Sequence, residues 1–534
     1  MVDDRAMDLD HAACYRALAT RDARFDGRLF VGVTTTGIYC RPICPARTPR
    51  IENVRFFPTA AAAQAAGFRP CLRCRPEASP DLAVWRGTSN TVSRALALIE
   101  SGALDEAGIE ALAARLGVGS RQLRRLFRQH LGASPVAVAQ TRRILLAKQL
   151  IRETGLPMAE VALAAGFRSV RRFNETFRQL FARPPAALRR ARMSDPAHET
   201  GLVRFGLAYA PPYDWDAMLG FLAARAIPGV ESVSRHGYGR TIALGAGRGT
   251  LHVEPGGGNR FAVEVRFPNL TALPTIIARV RRVLDLATDP APINAHLTGD
   301  PVLAPLVAAR PGIRVPGAWD GFELAVRAII GQRIAVPAAS GLLGRLVQVY
   351  GDPLAEAGPT TGDLTHVFPA PARLAGADLC RLGLPRQRAK ALNALAAAVV
   401  ADPLILGPRR SLEEAIAQLR SLSGVGDWTA QYIAMRELRE ADAFPASDVG
   451  LMRAMTGPDG RRPTPGELAA HAERWRPWRA YAAAHLWASG RHTASPQPIE
   501  QEIGQEISQE ISQEISQEIG QEISEESADD QRAA

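Results

Sequence analysis

Hydrophobic positions change their spacing several times along this chain, and each change marks a different kind of element. In Ile109-Glu-Ala-Leu-Ala-Ala-Arg-Leu the apolar residues recur at three- and four-residue steps, the spacing of an amphipathic helix. A Gly-Val-Gly turn follows, with Ser120 as the expected N-cap of a second helix whose core face carries Leu123, Leu126 and Phe127. About fifty residues on, the same pattern returns as Met158–Ser169 and then Val170–Arg178, with Phe173 and Phe177 facing inward. Two helix-turn-helix units are therefore predicted. Their outward residues are Arg121, Gln122, Arg124, Arg125, Arg168, Arg171 and Arg172. After residue 200 the texture shifts to short alternating runs, Gly239–Leu244, Thr250–Val253 and Phe261–Phe267, around helical stretches Asp214–Arg225 and Ala272–Leu286. That combination predicts an α+β unit. From about Pro290 to Ser489 the pattern is helical with Gly and Pro breaks. Finally Q-E-I-S/G repeats from Ile499 to Ser524. Isoleucines four apart drift about 40° per repeat around a helix, so a low-complexity acidic extension is expected, with an interaction helix as the alternative. Its charge would mask basic surface.

The fold class read from these patterns is multidomain and mainly α. The expected segments are 1–86, 88–192, 200–289, 290–495 and a tail at 496–534, with a linker near 193–200. The length of 534 residues fits about three or four domains, and a hydrophobic share of 46% suffices for their cores. The formal charge of +10 understates the balance. Residues 499–534 hold 11 acidic groups against Arg532 alone, leaving 63 basic and 43 acidic side chains, a net +20, on residues 1–498. Arg far outnumbers Lys, which suits a phosphate-rich partner, although GC-rich coding also inflates Arg. The N-terminus Met-Val-Asp-Asp-Arg lacks the basic-then-apolar pattern of a signal peptide. No uninterrupted apolar run approaches about 18 residues, so no membrane association is expected. In an intracellular protein the six cysteines are not expected to form structural disulfides.

Four of the six are Cys40-x3-Cys44 and Cys71-x2-Cys74, 26 residues apart. Two close thiol pairs across a short loop offer zinc its tetrahedral set. A plain structural zinc site is one reading. The surroundings favour another, because Arg41, Arg47, Arg69, Arg73 and Arg75 crowd the pairs and would bring the metal against DNA phosphates. The stretches T-T-G-I-Y-C-R-P-I-C-P-A-R and A-A-G-F-R-P-C-L-R-C-R-P closely resemble the N-terminal domain of Ada-type adaptive-response proteins. The resemblance implies a small α/β fold and one zinc ion (Zn²⁺) held by all four cysteines. It also implies that Cys40 accepts a methyl group, once, from a methyl phosphotriester in DNA. Cys14 and Cys380 stand apart from these pairs in the sequence and are expected to be ordinary buried thiols.

The tandem helix-turn-helix region, including the link Ser134-Pro135 to Ala147, resembles the AraC-type DNA-binding domain. A helical bundle with solvated Arg is the alternative. The resemblance sets two recognition helices in successive major grooves. Joined to the cysteine domain, it makes the regulatory half of an Ada-type activator. A promoter duplex and RNA polymerase are the implied partners, and a bacterial, cytoplasmic, nucleoid-associated monomer is the implied state.

In the helical C-terminal part, Gly424-Val425-Gly426 lies between two helical patterns, where a tight turn aims backbone N–H groups at an anion. One helix later Phe444-Pro445 leads to Asp448, 22 residues beyond Gly426. An ordinary helix-turn-helix packing unit followed by a capping Asp is the plainer reading. The combination matches the helix-hairpin-helix and Gly/Pro…Asp signature of a DNA glycosylase superfamily. Further stretches, Pro211–Trp215, Met218–Arg225, Arg327–Gln332 and Glu473–Tyr481, look like AlkA-type 3-methyladenine DNA glycosylases over roughly 200–490. Superfamily members that also cut the backbone carry Lys two positions after the second hairpin glycine; this chain has Trp428. The resemblance therefore implies a monofunctional hydrolase that flips an alkylated purine, such as 3-methyladenine or 7-methylguanine, out of damaged duplex. Asp448 serves the sugar cation, and Phe221, Trp428, Tyr432 and Trp487 wall the pocket. Gly424, Gly426, Gln332 and Arg333 are expected on DNA, with Arg333 standing where an apolar wedge is usual. Ala446-Ser447 leaves Asp448 as the one carboxylate at that point. Ada-type relatives often carry a C-terminal transferase with a Pro-Cys-His-Arg motif; none occurs here, and that activity is not expected. A DNA-binding regulator with a silent glycosylase-like half is the alternative.

Overall fold

The computed structural model describes residues 11–22, 25–79, 90–100, 102–189, 201–332, 334–354, 363–407, 409 and 411–489. The repetitive tail, the linker around 193–200 and Arg333 lie outside the described residues. Residues 1–486 form one compact unit and 487–534 a second.

The chain begins with a small sheet in the order β3-β1-β2-β4: β1 (Phe30–Val33), β2 (Ile38–Cys40), β3 (Val54–Phe57) and β4 (Arg69–Pro70). Phe30, Tyr39, Phe57 and Phe68 close its core with the alanines of helix Ala60–Ala65. Because β2 and β4 run parallel side by side, Cys40 at the end of one meets Cys71 just past the other, and the Cys71 N–H bonds Tyr39 O at 3.0 Å.

The two helix-turn-helix units then follow from their patterns. They comprise α1 (Asn90–Glu100), α2 (Ile109–Arg115), α3 (Ser120–Leu131), the long α4 (Pro135–Glu153), α5 (Met158–Ala164) and α6 (Val170–Phe181). Leu123 and Phe127 are buried, Leu126 is half-buried, and Phe173, Phe177 and Phe181 stack inward on α6. Ser169 caps α6, its hydroxyl accepting from the Arg172 N–H at 3.2 Å. The expected Ser120 cap is corrected: Gly119 takes that place and Ser120 begins the helix, because Gly119 supplies the extended backbone with no side-chain bond.

The α+β unit is a five-stranded antiparallel sheet in the order β5-β9-β8-β7-β6. Its strands are β5 (Leu202–Ala208), β6 (Glu231–Val233), β7 (Tyr238–Leu244), β8 (Gly247–Gly256) and β9 (Arg260–Arg266). Strand β5, not foreseen, alternates Val203, Phe205 and Leu207 inward, but Gly206 interrupts its pattern. Helix α7 (Trp215–Ala224) packs on this sheet, and Trp215 and Phe261 lie 4.7 Å apart. One continuous core joins α4, α5 and α6 to the sheet and α7. Among the described residues the remainder is helical apart from a two-stranded ribbon, Asp352–Pro353 with His366–Val367.

The helix-turn-helix part and the C-terminal half also meet through buried charge. Arg94 on α1 grips Glu440, the loop residue after the hairpin's second helix, with both Nε (2.9 Å) and Nη2, and both side chains are almost fully buried. Burial raises the Glu440 carboxyl even beside that cation. Removing one partner of such a pair strands a charge, whereas replacing both with apolar groups does not. Arg94→Ala should therefore cost about 3–5 kcal/mol in urea unfolding, and Arg94→Met combined with Glu440→Leu should recover most of it.

Candidate functional site

Two chemical centres emerge. In the first, the sulfurs of Cys40, Cys44, Cys71 and Cys74 all lie within 4.8 Å of one another. Ligands about 2.3 Å from a tetrahedral zinc stand about 3.8 Å apart, so the cluster fits one Zn²⁺. Mutual hydrogen bonding, first with Cys40, pulls the Cys44 thiol down to about 7. Bonds from Cys44, Cys71 and Cys74 push Cys40 up. Four such groups share one cation far more readily than they ionise alone. Backbone N–H groups also reach the sulfurs: Arg41 to Cys74 and Arg73 to Cys71, each 3.3 Å, and Ala46 to Cys44. Cys40 is the most open of the four, at 9%.

The ring of five arginines is only partly available. Arg41 is tied to Asp26, with Nε–Oδ1 at 2.7 Å, and to Cys74 O at 3.1 Å. Arg75 is paired with Glu153 and Glu77. Those two hold the loop. Arg47 and Arg73 are exposed and Arg69 is half-buried. On the helix-turn-helix units Arg121, Gln122, Arg124, Arg125, Arg168, Arg171 and Arg172 are all exposed. Arg168 Nε bonds Asp105 O at 2.9 Å, and Arg171 pairs with Glu175 along its own helix. Cys14 is buried as expected, whereas Cys380 is exposed.

The second centre is organised by the hairpin between α9 (Leu412–Arg420) and α10 (Asp427–Arg436). Gly424 adopts φ +78°, and a Cβ there would stand 2.5 Å from the Ala391 Cβ. Gly426 is different: its backbone is extended and a Cβ would meet open space. It caps α10 without a side chain, leaving the helix N-terminus facing outward. After α8 (Gly321–Ile330) the Gly331-Gln332 turn locks onto this hairpin. The Gln332 amide donates to Gly424 O and to Thr429 Oγ1, both at 2.9 Å.

Along one face of α10 stand Trp428, Tyr432 and Arg436, four residues apart. Trp428 and Tyr432 stack at 5.0 Å with 12° between planes. Arg436 donates to Tyr432 Oη at 2.6 Å and to the carbonyls of Pro316 and Gly317. Its guanidinium lies over both Tyr432 and Phe221. Arg225 stacks on Phe221 from 4.0 Å. Burial alone would raise the Tyr432 hydroxyl, but Arg436 and Arg225 outweigh it and hold it below its ordinary value. Two guanidiniums thus lie against the Phe221 ring. Neither arginine was foreseen, although Arg225 lies four residues from Phe221 on the same helical path, and that spacing was the available signal.

Asp448 stands at the start of α11 (Val449–Ala454), half-buried after the buried Phe444-Pro445. Its Oδ1 accepts from the Leu451 N–H at 3.0 Å and its Oδ2 from Trp428 Nε1 at 2.9 Å. The carboxylate is a helix cap and a partner of the pocket aromatic at once. Gln431 ties the approach, its Oε1 accepting from Phe444 N at 3.0 Å. Trp487 is half-buried on α12 (Arg479–Ser489).

The contrast between the two glycines can be measured. Gly424→Ala should lose about 2–4 kcal/mol of stability through the left-handed backbone and the clash. Gly426→Ala should leave the unfolding transition within about 0.5 kcal/mol yet weaken duplex binding.

Family models match in order along the chain: the metal binding domain of Ada at 13–77, a helix-turn-helix domain at 112–191, the AlkA N-terminal domain at 204–320, and the HhH-GPD superfamily of base excision DNA repair proteins at 326–480. A Mycobacterium tuberculosis protein described as a probable bifunctional transcriptional activator/DNA repair enzyme AlkA is 43% identical over 499 residues, 92% of this chain and 99% of that protein. DNA-3-methyladenine glycosylase 2 of Escherichia coli is 38% identical over 306 residues, 55% of this chain and 99% of that protein. The Escherichia coli bifunctional transcriptional activator/DNA repair enzyme Ada is 35% identical over 153 residues, 29% of this chain and 42% of that protein. With one zinc centre, a DNA-binding helix-turn-helix pair and a helix-hairpin-helix glycosylase fold in a single polypeptide, the chain belongs to the family of bifunctional transcriptional activator/DNA repair enzymes that join Ada-type and AlkA-type parts.

Proposed function

We propose that the C-terminal half is a monofunctional hydrolase of alkylated purines, 3-methyladenine and 7-methylguanine among them. The observation that carries this is the pinned Asp448 beside the stacked Trp428 and Tyr432. The outward N-terminus of α10, with Gly424 and Gly426, holds a phosphate of the duplex while the damaged nucleotide is flipped. The N-glycosidic bond breaks with its electron pair going to the base, which leaves neutral because alkylation had made it cationic. Asp448 faces the developing positive charge at C1′ and orients the water whose oxygen adds there, its proton passing through the carboxylate to solvent. Trp428 occupies the position of a lyase lysine, so no Schiff base forms and an abasic site is the product.

For the regulatory half, bound zinc keeps the cluster's sulfurs as thiolates at neutral pH. Cys40 is the proposed acceptor: backbone N–H groups draw charge from Cys44, Cys71 and Cys74. Its sulfur forms a bond to the phosphotriester methyl carbon as the C–O bond breaks, and the phosphodiester leaves with the electron pair. The loss of one negative charge from the centre then favours DNA, and the helix-turn-helix pair acts at a promoter with RNA polymerase as partner. The working form is a monomer.

Incubation with DNA containing 3-methyladenine or 7-methylguanine should release free base with wild type and not with Asp448→Asn. No release by folded wild type would leave only a DNA-binding regulator. Trp428→Phe keeps the ring stack but removes the bond to Asp448. It should lower kcat about 10- to 100-fold, with KM little changed. Methyl-phosphotriester DNA should label Cys40, and labelling that survives Cys40→Ala would refute that assignment.

A further inference from the structure

The end of α4 touches both halves of the chain with the same few side chains. Toward the cysteine centre, the fully buried Lys148 donates to Cys71 O at 2.7 Å and to Glu77 at 2.5 Å. Arg152 donates to Leu72 O at 2.8 Å. Glu153, the last residue of the helix, pairs with Arg75, which follows Cys74 and holds a left-handed backbone at φ +55°. Toward the glycosylase sheet, Glu153 also accepts from Arg260 Nη2 on β9 at 2.9 Å and from the Gly206 N–H on β5 at 3.1 Å. Gln149 donates to Gly206 O at 2.6 Å and to Glu153 at 2.8 Å. One carboxylate thus joins the residue just after the last metal ligand to two strands of the other half.

What those strands support makes the link matter. The sheet carries α7 through Phe261 and Trp215, and α7 presents Phe221 and Arg225 to the excision site. Beside the continuous apolar core, a partly open cavity of about 140 Å³ is lined by residues of the cysteine domain, α1, α4 and the sheet unit, among them Glu77, Gln149 and Leu207. Directional polar bonds add to the apolar contact there. A carboxylate with four donors cannot lose one without shifting its hold on the rest.

We propose that the four-cysteine centre is a regulatory site for the glycosylase half, read by the Lys148–Glu153 turn of α4 and passed on through Glu153 to Arg260 and Gly206. The shape of the Cys71–Arg75 loop sets where Lys148, Arg152 and Arg75 hold α4. Glu153 then sets how firmly β5 and β9 are held beneath α7. This rests on the centre holding zinc, and it is independent of whether Cys40 accepts a methyl group.

The test uses the full-length protein with zinc bound and after removal by a strong chelator under reducing conditions. Six of the seven tryptophans lie beyond residue 200, so tryptophan fluorescence reports the glycosylase half. In wild type, zinc removal should lower that thermal transition by about 3–6 °C and speed amide exchange at Gly206. In Glu153→Gln and in Arg260→Gln, the zinc-bound transition should already be lowered and the further drop on zinc removal should shrink at least twofold. Gln149→Ala, a milder change, should fall between. A wild-type glycosylase transition indifferent to zinc would overturn the coupling, as would variants that respond to zinc like wild type. A purified protein without zinc by elemental analysis would overturn the metal assignment instead.

Discussion

The point at which α10 begins governs the excision site. Gly424, in a backbone that only glycine takes readily and pressed against Ala391, turns the chain so that the helix starts at Asp427. From that start, a four-residue step places Trp428, Tyr432 and Arg436 on one face. The first holds Asp448, the second stacks on the first, and the third anchors to the carbonyls of Pro316 and Gly317. The outward helix terminus that suits a phosphate and the inward face that suits a base are two ends of one rigid element. A shift of one residue at the turn would separate the tryptophan from its carboxylate.

In the proposed mechanism Asp448 serves fold and chemistry together. Capping α11 fixes Oδ1, and the indole N–H fixes Oδ2. The plain reading of Asp448 as a helix cap is therefore correct as far as it goes. In the proposed mechanism its neighbour raises it above a cap: Trp428 stacks on Tyr432, whose hydroxyl Arg436 and Arg225 hold below its ordinary value. These positive charges oppose a cationic base, and the carboxylate and ring faces favour one.

Much of this was legible because the decisive features are local. Cys40, Cys44, Cys71 and Cys74 announce themselves by spacing, and so do the twin helix-turn-helix units and the Gly424–Asp448 signature. Features made by distant residues were not legible. Arg41 and Arg75 read as DNA contacts beside the cysteines, yet Asp26 and Glu153 claim them. Nothing near Arg94 in sequence points to Glu440, 346 residues away. Strand β5 was hidden by Gly206, whose backbone instead serves Glu153 and Gln149. Composition marks charge, but pairing across the fold decides which charges remain for a ligand.

The account turns on hydrolytic excision at Asp448, and the product of a single lesion tests it most directly. A duplex with one 7-methylguanine, end-labelled and treated with the protein, can be resolved on a denaturing gel with and without an added abasic-site endonuclease. The strand should stay intact until the endonuclease cleaves it at the lesion, and Asp448→Asn should leave it intact in both lanes. A nick at the lesion before the endonuclease is added, or no endonuclease-sensitive site after treatment with wild type, would contradict the account.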